Sequence, residues 1–290
     1  MAKELRSGIS YNGTSAEIAV LEIQDDVVEL KHLQEITATG GGQCWFLDSL
    51  DTVDKKTLGK ISKISIAVSS DEVQVHAFPM DSSLTQVEIN EHVDWELSNY
   101  IAEFRRNDFI TDLHVLRTNA REQIADVLAV SLGKSFVFNV QSHLEQRKVS
   151  LGLIDIQYYA AESALIQSHP EIKSRQSLLV GLTPNRIDLG VLTNSKLIHY
   201  QYRPYRTADE GIDFLREITA DYHDISLYVY GDGFSFEWQK LLRKQFGQKY
   251  MQLNPFRRMR ISPAVSNFSR YLGSESRFAC CVGSALRSGD

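Results

Sequence analysis

Three short segments of this sequence carry the residue types that can hold phosphate. Asn12-Gly13-Thr14-Ser15 lies between the alternating runs GISY and AEIAVLE. Gly181-Leu182-Thr183 ends the run LLVGLT before RIDLGVLT, and Gly231-Asp232-Gly233 separates the β-rich ISLYVY from the helical pattern SFEWQKLLRKQFG. A strand, glycine turn and helix in that order present free backbone N–H groups at a helix N-terminus, where an anion is favoured. Asn12, Gly13, Thr14, Ser15, Gly231 and Gly233 are therefore the candidate anion contacts. A reading without any ligand is also available. Asn-Gly between alternating strands is the strongest short-range hairpin signal, and a glycine pair can serve only to end a buried strand.

The elements that would position these turns form one pattern written twice. Residues 8–38 predict three strands, with alternation clearest in EIAVLE and VELKHL, and residues 177–204 predict the same triple-strand meander. Between them, the glycine-rich Thr39–Gln43 suggests a boundary, followed by a short helix or loop over Asp48–Lys63. KISIAVSSDEVQVHAF predicts two strands joined by a Ser-Ser-Asp turn, the second broken by Pro79. Thr85 and Glu88 have the spacing of a capping box for a helix whose apolar faces are supplied by Val87, Ile89, Val93, Trp95, Leu97, Tyr100 and Ile101. DLHVLRTN then predicts a strand, REQIADVLAVSLGK a helix closing on Gly133, and FVFNVQS a strand, which makes a β-β-α-β-α-β module. LGLIDIQ and YYAAESALIQ add a strand and a helix that ends at Pro170. Ile212, Leu215, Ile218 and Tyr222 mark the buried stripe of another helix, and SRFACCVGSALRS predicts a tightly packed helix of small residues.

Composition restricts the function classes. With 290 residues and a formal charge of -6, the chain has room for two lobes and lacks the basic excess of a general nucleic-acid binder. Arg257, Arg258 and Arg260 form a local cluster that is read as a solvated rim. The N-terminus MAKELRSG has no signal-peptide pattern, and no apolar run approaches the length of a membrane span, so a cytoplasmic protein without direct membrane insertion is expected. Cys44, Cys280 and Cys281 are read as small buried hydrophobes, and the eight scattered histidines show no metal-ligand spacing.

These segments, in this order, resemble the PilM family, the actin-like cytoplasmic component of type IV pilus assembly, with relatives in type II secretion. GISYNGTSAEIAVLE is similar to the family's opening Gly-Ile-Asp-Ile-Gly strand and turn. SKISIAVSSDEVQVHAFPMDSSLTQVEINEHVDWELSNYI resembles its inserted module, and LGLIDIQYYAAESAL its return to the first lobe. VYGDGFSFEW resembles the adenosine turn, and NPFRRM with FACCVGSALR the closing segments. The resemblance implies an α/β, actin-like two-lobe fold built from duplicated ribonuclease-H-like halves. It assigns residues 1–62 and 150–170 to the first lobe, 63–149 to the inserted module and 171–290 to the second lobe, with the upper helical subdomain of that lobe replaced by the link YRPYRTADEG.

The departures bear on chemistry. Where the family has an aspartate in the first turn this chain has Ser10; where it has Asp-x-Gly in the second it has Gly181-Leu182-Thr183; and Gly231-Asp232 replaces Gly-Gly. Phosphoryl transfer depends on oriented charge and a metal ion, so the resemblance implies no catalytic residues, no metal, and at most weak ATP binding. What remains is a scaffold for a membrane-anchored assembly protein, whose cytoplasmic peptide would lie between the first lobe and the inserted module. Phe78, Pro79, Trp95 and Tyr100 are the expected walls, although Trp95 and Tyr100 could equally pack in a core. The alternatives are an ATPase or kinase that uses Asp232 and Asp155, and a filament-forming protein. Asp155 is otherwise expected to cap the following helix, and Asp188 to be a surface residue.

Overall fold

The computed structural model describes residues 3–38, 42, 44–61, 63–70, 72–222 and 225–287. The boundary expected at Thr39–Gln43, Gly42 apart, and the Asp71 end of the Ser-Ser-Asp turn lie outside the described residues.

Strands β1 (Glu4–Tyr11), β2 (Ser15–Gln24) and β3 (Val27–Thr37) form the first meander. After the one-turn α1 (Lys55–Leu58), β4 (Lys63–Val68) pairs parallel to β1. The insertion comprises β5 (Val73–Asp81), α2 (Gln86–Tyr100), β6 (Phe109–Asn119), β7 (Ile124–Gly133) and α3 (Lys134–Gln146). The chain returns through β8 (Ser150–Ile156) and α4 (Gln157–Ser168). The second meander is β9 (Gln176–Leu182), β10 (Arg186–Thr193) and β11 (Lys196–Pro204). It is followed by α5 (Ala208–Thr219), β12 (Ser226–Tyr230), α6 (Phe236–Phe246), β13 (Tyr250–Gln252), β14 (Arg260–Ile261) and α7 (Ala279–Leu286). The sheets run β14-β3-β2-β1-β4-β8, β11-β10-β9-β12-β13 and β5-β7-β6.

The two meanders and the α/β character match the sequence expectation. The interior of the insertion does not, because helix and strand are exchanged in its second half. REQIADVLAVSLGK is not a helix; its core becomes β7, the central strand of the small sheet, paired on one side with β5 and on the other with β6. A strand apolar on both faces loses its period-2 signature, and alanine and leucine then mimic a helix. FVFNVQS lies in α3, where Phe136, Val140 and Leu144 are buried at a spacing of four. Its β-branched and aromatic residues are overridden by this packing. The module order is therefore β-α-β-β-α, and β4, expected within it, belongs to the first sheet. Pro79 does not end its strand: β5 continues to Asp81, and as an edge strand it needs no N–H donated outward.

The capping box forms as expected, with the Thr85 N–H donating to Glu88 Oε2 at 2.8 Å and the two side chains linked. Only Val93 and Leu97 of α2 are buried, however, while Val87 and Trp95 are 66% and 59% exposed. Between β11 and α5 only Tyr205–Thr207 intervene, so no helical subdomain stands there.

Helix α7 holds the first lobe together through the absence of side chains. A Cβ on Gly283 would lie 1.6 Å from the Ala160 carbonyl oxygen of α4, and one on Gly8 would lie 2.1 Å from the Cys281 oxygen. Backbones therefore touch on both sides of the helix. Replacing Gly283 with valine is expected to lower unfolding free energy by about 3 kcal/mol or more, since overpacking an interior without free volume forces the helices apart; urea denaturation followed by circular dichroism measures it.

Candidate functional site

The three candidate phosphate turns converge on the cleft between the lobes. Ser10, Asn12, Gly181, Leu182, Thr183, Gly231 and Asp232 all line it. Several amides that would face a phosphate are already engaged. The Asn12 side-chain oxygen accepts from the N–H groups of Thr14 and Ser15, each at 2.7 Å. The Thr183 N–H donates to the Arg186 carbonyl at 3.0 Å, and the Gly233 N–H to the Leu182 carbonyl at 2.9 Å. Gly13 has open space around its Cα, as a hairpin turn requires no more. Gly231 has φ +108° and would place a Cβ 2.2 Å from the Leu182 oxygen, so it is demanded by both conformation and contact.

Little room remains between the turns. The free space in the cleft amounts to about 30 Å³, small beside the roughly 300–1,000 Å³ of small-molecule sites. Tyrosines fill the rest. The Tyr230 hydroxyl lies where a Cβ of Gly181 would be, and the Tyr158 hydroxyl where a Cβ of Gly190 would be. Tyr158, Tyr200 and Tyr230 are buried, which pushes their phenols far above the usual range and keeps them neutral. Asp188, expected at the surface, is 5% exposed. It pairs with Arg186 at 2.7 Å and accepts from the Tyr200 hydroxyl at 2.5 Å. Arg186 also donates to the Ser70 carbonyl across the cleft at 3.2 Å and lies 3.8 Å over the Tyr202 ring. A charged pair this deep needs all these partners.

On the first-lobe wall, Glu17 accepts from the hydroxyls of Ser10 and Ser15, each at 3.0 Å, and Arg277 approaches to 3.7 Å. Ser10 thus orients a buried carboxylate that the sequence did not single out. The clue was present as Glu17 facing inward on an otherwise apolar strand, but β2 alternation alone does not separate it from a solvated residue. Asn12 Nδ2 donates to Asp232 Oδ2 at 2.5 Å, joining the first turn to the glycine turn of the second lobe. Asp232 and Asp155, the alternative acids, do not share a site. Asp232 lines the cleft, while Asp155 lines a separate groove and pairs with Arg287 at 2.7 Å. Helix α4 has no side-chain cap, so Asp155 does not serve that purpose.

That groove, about 490 Å³, runs between β8 and the insertion. Its lining includes Val68, Ile110, Val130, Leu132, Val137, Leu151 and Ile154, with Asp112, Glu145 and Asp155 as carboxylates. Strand β8 ends its sheet, and among the described residues no strand pairs with its outer edge. The four expected wall residues lie elsewhere. Phe78 is 5% exposed in the core of the insertion with Val93, Leu97 and Val127. Pro79 faces outward on β5, and Trp95 stands on the outer face of α2. Tyr100 stacks on His76 at 4.3 Å and meets the Tyr202 hydroxyl of the second lobe. The sequence signal missed was LGLIDI, an apolar strand whose edge status only the sheet order reveals.

Burial raises the Glu17 carboxyl from an ordinary 4.5 to about 7, against the pull of Arg277 and the two serine hydrogen bonds. The folded state therefore binds this proton more tightly than the unfolded chain, and its stabilising contribution is present below pH 4.5 and lost as pH rises through about 7. Glu17→Gln should flatten the fall in urea-unfolding free energy between those pH values by about one proton's worth of slope.

A family model described as type IV pilus assembly protein PilM matches residues 16–225. Among solved structures, a PilM-PilN type IV pilus biogenesis complex superposes with TM-score 0.76 at 16% identity, covering 98% of both chains. A Bacteroides thetaiotaomicron protein with actin-like ATPase fold and unknown function gives TM-score 0.55 at 13% identity, covering 93% of this chain and 95% of that one. The cytoplasmic domain of EpsL, an inner membrane component of the type II secretion system of Vibrio cholerae, gives 0.50 at 11% identity, covering 98% and 95%. No curated protein sequence matches the chain. At these identities the structures show the actin-like fold, and the family model, spanning well over half of the residues, shows the relationship: the chain belongs to the PilM family of type IV pilus assembly proteins.

Proposed function

We propose that this protein is a cytoplasmic, non-catalytic adaptor, peripheral to the membrane, that captures a short extended peptide of a membrane-anchored assembly protein by adding it as a strand to β8. The observation that carries this reading is the unpaired edge of β8 beside a groove of about 490 Å³ with apolar walls. An exposed strand edge offers a row of N–H and C=O groups to an incoming chain. Pockets on either side then select alternate side chains of the peptide. Ile110, 47% exposed on the opposite wall, and Val137 on α3 are the side chains best placed to contact it. The likeness in fold to the PilM-PilN type IV pilus biogenesis complex supports a partner of this kind, and no described helix is long and apolar enough to cross a membrane.

The same reading assigns no ATP turnover to the interlobe cleft. A triphosphate would have to displace three buried tyrosines and the Arg186–Asp188 pair, and several turn amides would have to abandon existing acceptors. Asn12, Gly13, Thr14, Ser15, Gly231 and Gly233 then act as the joint between the lobes rather than as a cofactor site.

Calorimetry tests both parts. Magnesium ATP should give no heat corresponding to a Kd tighter than about 1 mM, and micromolar binding would overturn the closed-cleft reading. A synthetic peptide copying the cytoplasmic N-terminal segment of a PilN-type membrane-anchored partner should bind and slow hydrogen exchange across Ser150–Ile156. Ile110→Asp should weaken that binding by about tenfold or more while leaving the melting curve unchanged, because the side chain is half exposed and its loss removes contact without opening the core.

A further inference from the structure

Helix α6 carries a basic face, led by an aromatic ring, that does no work in the fold. Phe236, Lys240 and Arg243 recur at spacings of four and three along one side, with Lys244 beside them, and all four are exposed. Phe236 alone is 82% exposed. The packed side of the helix lies opposite, where Trp238 and Leu242 are buried. Among the described residues, none of the three cations has a carboxylate partner. Helix α5 borders α6 through Arg216, which donates to Gln245 at 3.0 Å, and its carboxylates Asp213 and Glu217 are paired with arginines. The one acidic residue of α6 itself is Glu237, in its first turn.

Beside this face lies a depression of about 500 Å³ lined by Gln239, Arg243, Gly247, Gln248, Tyr250 and Gln252. Its polar side chains are amides, a guanidinium and a phenol, with no carboxylate among them. The Tyr250 hydroxyl is shielded from solvent and has no hydrogen-bond partner among the described residues. Burial raises that phenol to about 12, so it keeps its proton and can donate. A set of donors around one arginine, free of negative charge, suits a phosphate oxygen.

We propose that this face of α6 docks on an anionic membrane surface, with a lipid phosphodiester seated in the depression beside Arg243 and the Phe236 ring at the level of the headgroups. Charge selects the occupant. The chain as a whole carries -6, so three unpaired cations on one face are a local reversal that attracts an anionic surface. A bilayer also gives the open Phe236 ring an apolar boundary to meet, as on helices that lie in the interface plane. With 11 residues α6 rests on the surface and spans nothing. Three cations fall below the roughly four to eight that mark a lipid-binding segment. The contact is therefore weak by itself and acts as a second signal. It rests on the adaptor reading for the presence of a bilayer: the anchored partner brings the chain to the membrane, and α6 sets which side faces it. The face shares no residue with the peptide groove.

Cosedimentation of the full chain with vesicles, in the absence of any peptide, tests the proposal. Binding is expected on phosphatidylcholine vesicles containing about one third phosphatidylglycerol, is absent on phosphatidylcholine alone, and is lost as ionic strength rises. Lys240→Glu combined with Lys244→Glu should weaken it by about tenfold or more, and Phe236→Ser by about fivefold. Tyr250→Phe, which leaves the charge unchanged, should weaken it about threefold by removing one donor. Positions 236, 240 and 244 are exposed, so unchanged melting curves will show that folding is not the cause. Binding to neither vesicle, equal binding to both, or binding that the charge reversals leave intact overturns the proposal. Stronger binding to soluble polyaspartate than to the acidic vesicles also overturns it, and would identify an acidic protein as the occupant. The assay reads lipid alone, so its failure is told apart from failure of the peptide to protect Ser150–Ile156.

Discussion

The lobes meet where Gly190 of the second lobe admits the Tyr158 ring of the first, beside Tyr230, whose hydroxyl lies over Gly181 within the second sheet. Gly181 and Gly190 lie on adjacent strands of the second sheet, and the hydroxyl ends of Tyr230 and Tyr158 occupy the volume that side chains at those positions would take. With the rings in place, the inward face of the second sheet joins the core of the first lobe. Leu179, Leu192, Tyr200, Tyr228 and Tyr230 belong to the same buried cluster as Ile9, Ile18 and Cys281. The junction between the lobes is thereby lined by packed rings rather than by open turns.

Charge follows from that closure. Where burial is this deep, each ionisable group in the cleft needs a partner or must stay neutral. Arg186 and Asp188 satisfy one another, with Tyr200 and the Ser70 carbonyl completing their hydrogen bonds. Glu17 follows the other course: it gathers two serine hydroxyls and the field of Arg277, yet burial still raises its carboxyl to about 7. Ser10 is part of this arrangement. A hydroxyl there donates to Glu17, whereas an aspartate would set two buried carboxylates side by side.

The groove at β8 shows the opposite economy. There the sheet simply stops, the insertion stands off from it, and apolar side chains from both walls face a gap. Beside the crowded interlobe cleft the fold thus leaves a second concavity, formed between a sheet edge and the insertion.

Much of this was legible in the residues. The two meanders declare themselves by period-2 alternation around Asn-Gly and Gly-Leu-Thr turns. The helix at Thr85 is announced by its capping box, and α7 by its run of small residues. Those signals are local, set by dihedral preference, capping and alternation within about ten residues, and they survive whatever packs on them. Other features depended on partners distant in sequence. β7 took a strand conformation despite a helical composition because β5 and β6 pair with it on both sides. Asp188 became buried because Arg186 and Tyr200 lie beside it in the meander. Trp95 was left outside while Phe78 went inside, because the small sheet covers only one face of α2. The edge of β8 and the tyrosines in the cleft are facts of sheet order and of contacts between lobes, and no stretch of sequence contains both sides of such a contact.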